Sequence, residues 1–130
     1  MLFRSSIAYT DHVLASSIAW LKTHGKGFDA QMLYVSDHGE SLGENNLYLH
    51  GLPYAIAPRA QKHVPMIFWQ AEEGYAKVGA AGLTQLCLKG LRDASLTHDN
   101  LFHTVLGLVG VSASEYQKPL DAFAACRTSR

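Results

Sequence analysis

The residues best equipped for chemistry lie in one stretch. It reads Ser36-Asp37-His38-Gly39-Glu40-Ser41-Leu42-Gly43-Glu44-Asn45-Asn46-Leu47-Tyr48-Leu49-His50-Gly51 and follows a short apolar run, Met32-Leu33-Tyr34-Val35. A carboxylate beside an imidazole suits a zinc ion, which takes oxygen or nitrogen ligands at roughly 2.0–2.2 Å. Adjacent residues of a regular strand point to opposite faces. Asp37 and His38 can therefore share one metal only if the backbone has already left the strand. Gly39 makes such a departure cheap. Glu40 could hold a ligand in place from behind, as metal sites usually require. Glu44 and His50 lie further along the loop and could fold back toward the ion. On spacing alone, such charged triplets also occur in plain turns, and a single loop histidine is more often simply hydrogen-bonded.

The surrounding elements must put this loop where it can act. Ligands of open α/β sheets sit just outside the carboxyl ends of the strands. The apolar centre of 30–36 suits a strand buried on both faces, as in a parallel sheet, with Asp37 and His38 at its end. A second apolar run, Val64 to Trp69, predicts another strand, with Pro65 marking its entry or an edge. Upstream, Ile7, Leu14, Ile18 and Leu21 recur at helical spacing over 7–22. Thr10-Asp11-His12 would cap or begin that helix, and His24-Gly25-Lys26-Gly27 would end it.

Downstream, 74–90 is rich in small residues, and 80–91 reads as a helix weakened by Gly82 and Gly90. Leu96-Thr97-His98-Asp99 predicts a helix start with Thr97 as N-cap. Leu101, Val105, Leu108 and Val109 give its apolar stripe, which ends near Gly110. The tail from Ser112 is irregular, with Tyr116, Leu120 and Phe123 as docking points. Helix, strand, long loop, strand, helix is the grammar of an α/β sheet with crossover helices, read here as one domain over 1–130.

Composition excludes several classes. The chain has 130 residues, 48% hydrophobic and 17% charged, which is ordinary for a globular protein. Its net charge is zero with histidine neutral, so nothing points to nucleic-acid binding. No apolar run approaches the roughly 20 residues that span a bilayer, and the start lacks the apolar core of a signal peptide. Cys87 and Cys126 form no zinc-finger spacing; a disulfide and two free thiols are equally open readings.

Several blocks together resemble one family. They are Tyr9 to Leu14, Ser36 to Asn45 with Leu47 to Pro58, His63 to Ile67, Ser95 to Gly107, and Leu120 to Arg127. In order and content they are similar to the lipid A phosphoethanolamine transferases of the sulfatase and alkaline phosphatase superfamily. Asp-His-Gly-Glu is shared by other sulfatase-like enzymes; Leu49-His50-Gly51-Leu52-Pro53-Tyr54-Ala55-Ile56-Ala57-Pro58 favours the transferase branch. Two positions depart from the family pattern: Asn46 replaces a glycine and Arg59 an acidic residue.

The resemblance implies an α/β fold, the C-terminal part of a sulfatase-like, alkaline phosphatase-like α/β/α sandwich. It implies a Zn2+ held by a glutamate, a threonine nucleophile, an aspartate and a histidine, the last two matching Asp37 and His38. The histidine matching His50 would contact substrate phosphate or an additional zinc. Phosphatidylethanolamine would donate its headgroup to the threonine, and lipid A would accept it, on the periplasmic face of the bacterial inner membrane. The glutamate, the threonine and a membrane domain belong to an N-terminal part that this sequence does not hold; Thr10 falls in the helix block, not the nucleophile block. The chain alone is therefore expected to be inactive and prone to self-association.

Two alternatives remain: a sulfatase-like phosphodiesterase or hydrolase, and a non-catalytic remnant. Tyr48, Tyr54 and Trp69 could line a lipid or phosphate pocket, and Arg59 and Lys62 could attract phosphates, though packing and solvation are the ordinary fates of such residues. His12, Trp20, His98 and His103 read as packing or capping residues.

Overall fold

The computed structural model describes residues 2–71 and 83–127, and the side chains of that range from residue 4 onward. Its contacts fall into two compact units, residues 1–21 with 31–69 and residues 22–30 with 70–130. No helix among the described residues is long and apolar enough to cross a membrane.

The first unit holds most of helix α1 (Leu2–His24). The helix begins upstream of Thr10-Asp11-His12, which lie inside it rather than at its start. The segment before them contains no glycine or proline to stop helix propagation. Leu14, Ile18 and Leu21 are half-buried as their spacing predicts, whereas Ile7 is exposed. His12 and Trp20 lie on the outer face, so neither is a core residue.

Strand β1 (Gln31–Val35) pairs with β4 (Met66–Gln70). At one end of the pair the Ser36 N–H donates to the Pro65 carbonyl, and at the other the Ala71 N–H donates to the Ala30 carbonyl. Those two bonds make the pair antiparallel. The expectation of a parallel arrangement is corrected here, because an apolar run reports burial and not strand direction. All five β1 residues are half-buried rather than covered on both faces.

Between these strands the loop is folded as a small hairpin. Strands β2 (Ser41–Leu42) and β3 (Tyr48–Leu49) pair antiparallel, Ser41 with Leu49 and Leu42 with Tyr48. A 3-10 turn (Glu44–Asn46) closes it. Gly43, Asn45 and Asn46 have φ of 121°, 54° and 59°. Asparagine tolerates that left-handed region better than most residues, so Asn46 can occupy a position that suits glycine. Helix α2 (Arg59–Lys62) follows and carries the buried Gln61.

The second unit contains α3 (Gln85–Gly90) and α4 (Asp99–Val109). The helix expected over 80–91 is described from Gln85, where the Thr84 hydroxyl accepts the Cys87 N–H; residues 80–82 of that reading lie outside the described residues. At the start of α4, the Thr97 hydroxyl accepts the Asp99 N–H at 3.3 Å, and the Asn100 side chain accepts the Thr97 N–H at 2.8 Å. This reciprocal pattern is a capping box and supports Thr97 as the cap. Gly110, at φ 67°, ends the helix.

The face that α4 buries is polar, unlike the stripe its apolar residues suggest. His103 and Thr104 are buried, while Val105 and Val109 are exposed. The tail explains this. His103 Nδ1 accepts the Gln117 N–H, Thr104 Oγ1 accepts the Ala122 N–H, and Asn100 Nδ2 donates to the Leu120 carbonyl. Asp121 forms an ion pair with Arg127 and accepts the Tyr116 hydroxyl at 2.7 Å. Burial pushes the Arg127 pKa down. Phe123 is buried beside this latch, as expected of a docking residue, and a disulfide joins Cys87 to Cys126.

Candidate metal centre

The backbone leaves β1 at Ser36, whose N–H makes the last bond toward β4. The Ser36 hydroxyl then donates to the His38 carbonyl at 2.9 Å. The Asp37 carboxylate accepts the His38 N–H at 3.0 Å, and its other oxygen lies 3.8 Å from His38 Nε2. The strand alternation that would separate the two side chains is thus broken where metal sharing requires it. The His38 N–H, then the Asp37 N–H, then the His38 ring hold the Asp37 carboxyl below the usual range. Asp37 is largely exposed, its side chain at 90%.

Gly39 serves the site for a reason other than backbone freedom. It is not among the glycines with positive φ. A Cβ at this position would collide with the Ala60 carbonyl oxygen, so only glycine lets the loop lie against α2. The Gly39 N–H donates to the Gln61 carbonyl at 3.0 Å. The Gln61 side chain donates in turn to Ser41 Oγ at 2.9 Å and to the Leu49 carbonyl at 3.1 Å. One buried glutamine therefore ties both hairpin strands to α2.

The hairpin register sets the next contact. Ser41 pairs with Leu49, so the residues flanking that pair, Glu40 and His50, are neighbours. His50 Nδ1 lies 3.0 Å from Glu40 Oε2. A carboxylate only accepts, so Nδ1 donates and His50 Nε2 keeps its lone pair. His38 is oriented in the same sense, with Nδ1 at 2.9 Å from the Gly39 carbonyl. The two imidazoles stack with centroids 3.8 Å apart and planes at 30°. Donor atoms of His38, Glu40 and His50 all lie within 4.8 Å of one another.

Two imidazoles and a carboxylate are a donor set that zinc accepts, and histidine ligands are usually oriented by a carboxylate or carbonyl on their other nitrogen. A further observation fits a cation. Glu40 Oε1 is buried and has no hydrogen-bond partner. Native proteins rarely leave such an oxygen unsatisfied.

The structure thus brings His38, Glu40 and His50 together, with Asp37 beside His38. Glu44 is committed elsewhere: its carboxylate accepts the Leu42 N–H at 2.7 Å and serves the hairpin. Gln61 is the participant that sequence reasoning misses. A glutamine in a four-residue helix has no periodicity or motif to announce it. The Glu40–His50 pairing is also missed; its one sequence signal is a turn at Gly43 and the asparagines, which does not fix the register.

The Sulfatase family model matches residues 3–111 of the chain. The chain is 43% identical over 126 residues to the phosphoethanolamine transferase EptA of Salmonella typhimurium, covering 96% of this chain and 22% of that protein. It is 43% identical over 113 residues to the phosphatidylethanolamine transferase Mcr-1 of Escherichia coli, covering 87% and 19% respectively. Among solved structures, the soluble domain of lipooligosaccharide phosphoethanolamine transferase A from Neisseria meningitidis superposes with TM-score 0.84 and 41% identity, over 93% of this chain and 36% of that one. The C-terminal periplasmic domain of EptC, a phosphoethanolamine transferase from Campylobacter jejuni, gives TM-score 0.73 and 43% identity over 88% and 34%. The chain therefore spans about a fifth of the curated relatives.

Proposed function

From the premise that this chain belongs to the sulfatase family, we propose that it is the C-terminal part of a zinc-dependent phosphoethanolamine transferase. The enzyme moves phosphoethanolamine from phosphatidylethanolamine to lipid A through a phospho-threonine intermediate, at the periplasmic face of the inner membrane. The observation that carries this reading is the convergence of His38, Glu40 and His50 in a loop held by Gln61. The similarity to relatives named as phosphoethanolamine transferases supports the choice of reaction. The Cys87–Cys126 disulfide suits an oxidising compartment such as the periplasm.

Asp37 and His38 would hold the zinc, together with a glutamate and the threonine supplied from outside this chain. Zinc, when bound, lowers the pKa of a hydroxyl nucleophile and offsets charge on phosphoryl oxygens. Glu40 accepts the His50 Nδ1–H and fixes the orientation of the imidazole. His50 then presents Nε2 to a phosphate oxygen or to an additional zinc. Gln61 and Gly39 keep the loop in register.

A chimera tests the proposal. The corresponding stretch of the Salmonella typhimurium relative is replaced by this chain, and lipid A is examined by mass spectrometry. Modified lipid A is expected, lost in His38→Ala and Asp37→Ala. Release of free phosphoethanolamine without modified lipid A would instead mark a hydrolase, and inactivity of a well-folded chimera would count against the family reaction. Zinc competition with a chromophoric chelator adds an independent readout, with Glu40→Gln expected to weaken binding by roughly 10–100-fold. The purified chain alone is expected to show no turnover.

A further inference from the structure

His50 owes its place beside His38 to more than its bond to Glu40. That bond, from His50 Nδ1 to Glu40 Oε2 at 3.0 Å, fixes how the ring is turned. It can form only after the backbone has carried residue 50 alongside residue 40. The residue that turns the backbone there is Leu49, at φ 67°. The other non-glycine residues of positive φ among the described residues are Asn45 and Asn46, whose type tolerates that region. For leucine the left-handed conformation is disfavoured roughly 5–30-fold. Packing of the side chain does not offset this, because Leu49 is 69% exposed. The surroundings must therefore hold its backbone.

The hydrogen bonds identify the group that does so. Gln61 Nε2 donates to the Leu49 carbonyl at 3.1 Å and to Ser41 Oγ at 2.9 Å. A carbonyl only accepts, so the amide nitrogen and not its oxygen faces Leu49. The amide has two N–H hydrogens, and both are used. Ser41 and Leu49 are partners in the hairpin register, so one amide clamps the last pair before Glu40 and His50. Gln61 is itself buried, and its carbonyl accepts the Gly39 N–H beside His38. The clamp thus has a fixed base on the His38 side and a grip on the strained residue next to His50.

We propose that Gln61 is a positioning residue for His50: by holding Leu49 in the left-handed conformation, its side-chain amide keeps the His50 imidazole stacked on His38 with the Nε2 lone pair available. The inference deepens the transferase reading and rests on it only for the phosphate or metal that His50 Nε2 meets. The placement itself follows from the hydrogen bonds and the backbone angle.

Nuclear Overhauser effects in the metal-free 130-residue chain test it without zinc, lipid or turnover. Rings with centroids 3.8 Å apart give a cross-peak between His38 and His50, assigned by its absence in His50→Gln. Gln61→Met, similar in length but unable to donate, should weaken that cross-peak by about fivefold. Leu49→Val should weaken it with Gln61 intact, because a β-branched residue is a poorer occupant of positive φ. Gln61→Met with Leu49→Asn should recover most of the signal, since asparagine tolerates the region without help. Ser41→Ala leaves the Leu49 bond in place, so it should lower the urea midpoint and keep the cross-peak. A glutamine that merely stabilised the fold would gain no rescue from asparagine at residue 49.

A full cross-peak in Gln61→Met or in Leu49→Val would overturn the proposal, as would a loss in Gln61→Met that Leu49→Asn does not repair. Should Gln61→Met fail to fold by circular dichroism, the comparison at residue 49 decides: valine loses the cross-peak and asparagine keeps it, or the proposal falls. The chimera separates this from the reaction. Unmodified lipid A, with the cross-peak behaving as stated, sinks the transferase reading alone. A cross-peak indifferent to Gln61 and Leu49 sinks the positioning role alone, whatever the chimera does.

Discussion

Gly39→Ala offers the sharpest test of how the centre is held. A Cβ built at residue 39 falls inside contact distance of the Ala60 carbonyl oxygen, 3.0 Å from its carbon and 3.3 Å from the Gln61 Cα. All three are backbone atoms of α2 or its flank, so no side chain can swing aside. Either α2 or the 38–40 segment must move, and the first bond lost is that from the Gly39 N–H to the Gln61 carbonyl. Overpacking of this kind costs about 1–3 kcal/mol. Disturbing Gly39–Gln61 and one Gln61 side-chain bond adds roughly 1 kcal/mol each. The sum is a loss of about 3–5 kcal/mol.

Gly27→Ala is the internal comparison. Its φ is 89° with nothing within 4 Å, so only backbone strain of about 1–2 kcal/mol applies. Urea denaturation gives both values, and zinc competition shows whether the donor set survives. Gly39→Ala should be the more destabilising and should lose zinc affinity, while Gly27→Ala keeps it. If the two variants unfold at the same urea concentration and both bind zinc like wild type, the contact with α2 does not hold the centre, and the reasoning fails.

Three further outcomes are expected. Cys87 and Cys126 close a loop with a sequence separation of 39, so replacing both by serine should lower stability by about 4 kcal/mol, read as a shift in urea midpoint that reductant reproduces in wild type. Asp121 has a side chain 0% exposed and Arg127 one only 14% exposed, so Asp121→Ala strands a buried guanidinium and should cost about 3–5 kcal/mol, whereas Asp121→Ala with Arg127→Met should recover part of that loss in the same assay. The Asp37 carboxyl titrates below its unfolded value, so its contribution to stability is present above about pH 4 and disappears as pH falls through the lowered folded-state value. Asp37→Asn should therefore differ from wild type in denaturation at neutral pH and converge with it in strong acid; a difference that persists in acid would contradict the hydrogen-bond origin of the shift.

Sequence alone showed the strand and the metal-ligating residue types that follow it. It could do so because each signal is local: an apolar run, a turn residue, and a ligand type. What stayed hidden depends on partners distant in sequence. Tyr48 and Leu49 are exposed, so β3 has no alternation to reveal it, and the β2–β3 register that sets Glu40 against His50 could not be counted. His103 reads as a packing or capping residue, and Thr104 lies outside the apolar stripe of its helix. They are buried because tail N–H groups need acceptors there. A side chain at Gly107 would run into Asp121 and Arg127, which makes that glycine a packing requirement of the same face.

The contacts of the candidate metal centre show why its donor types could be read while its surroundings could not. Each bond that positions the donors joins residues between 36 and 61: Ser36 to His38, Gly39 to Gln61, Gln61 to Ser41 and Leu49, Glu40 to His50. β1, by contrast, carries a run suited to cover on both faces and is half-buried throughout. Hydrogen bonds within this one segment therefore specify donor geometry independently of how completely the sheet is covered. Affinity does not follow from geometry alone, since a catalytic zinc normally has three protein ligands and a defined open position. The donors present supply orientation, through Nδ1 bonds that leave both Nε2 atoms available. The remaining requirement is an oxygen-rich partner for the Asp37 side, which is the most exposed part of the site and the part that the proposed glutamate and threonine would have to reach.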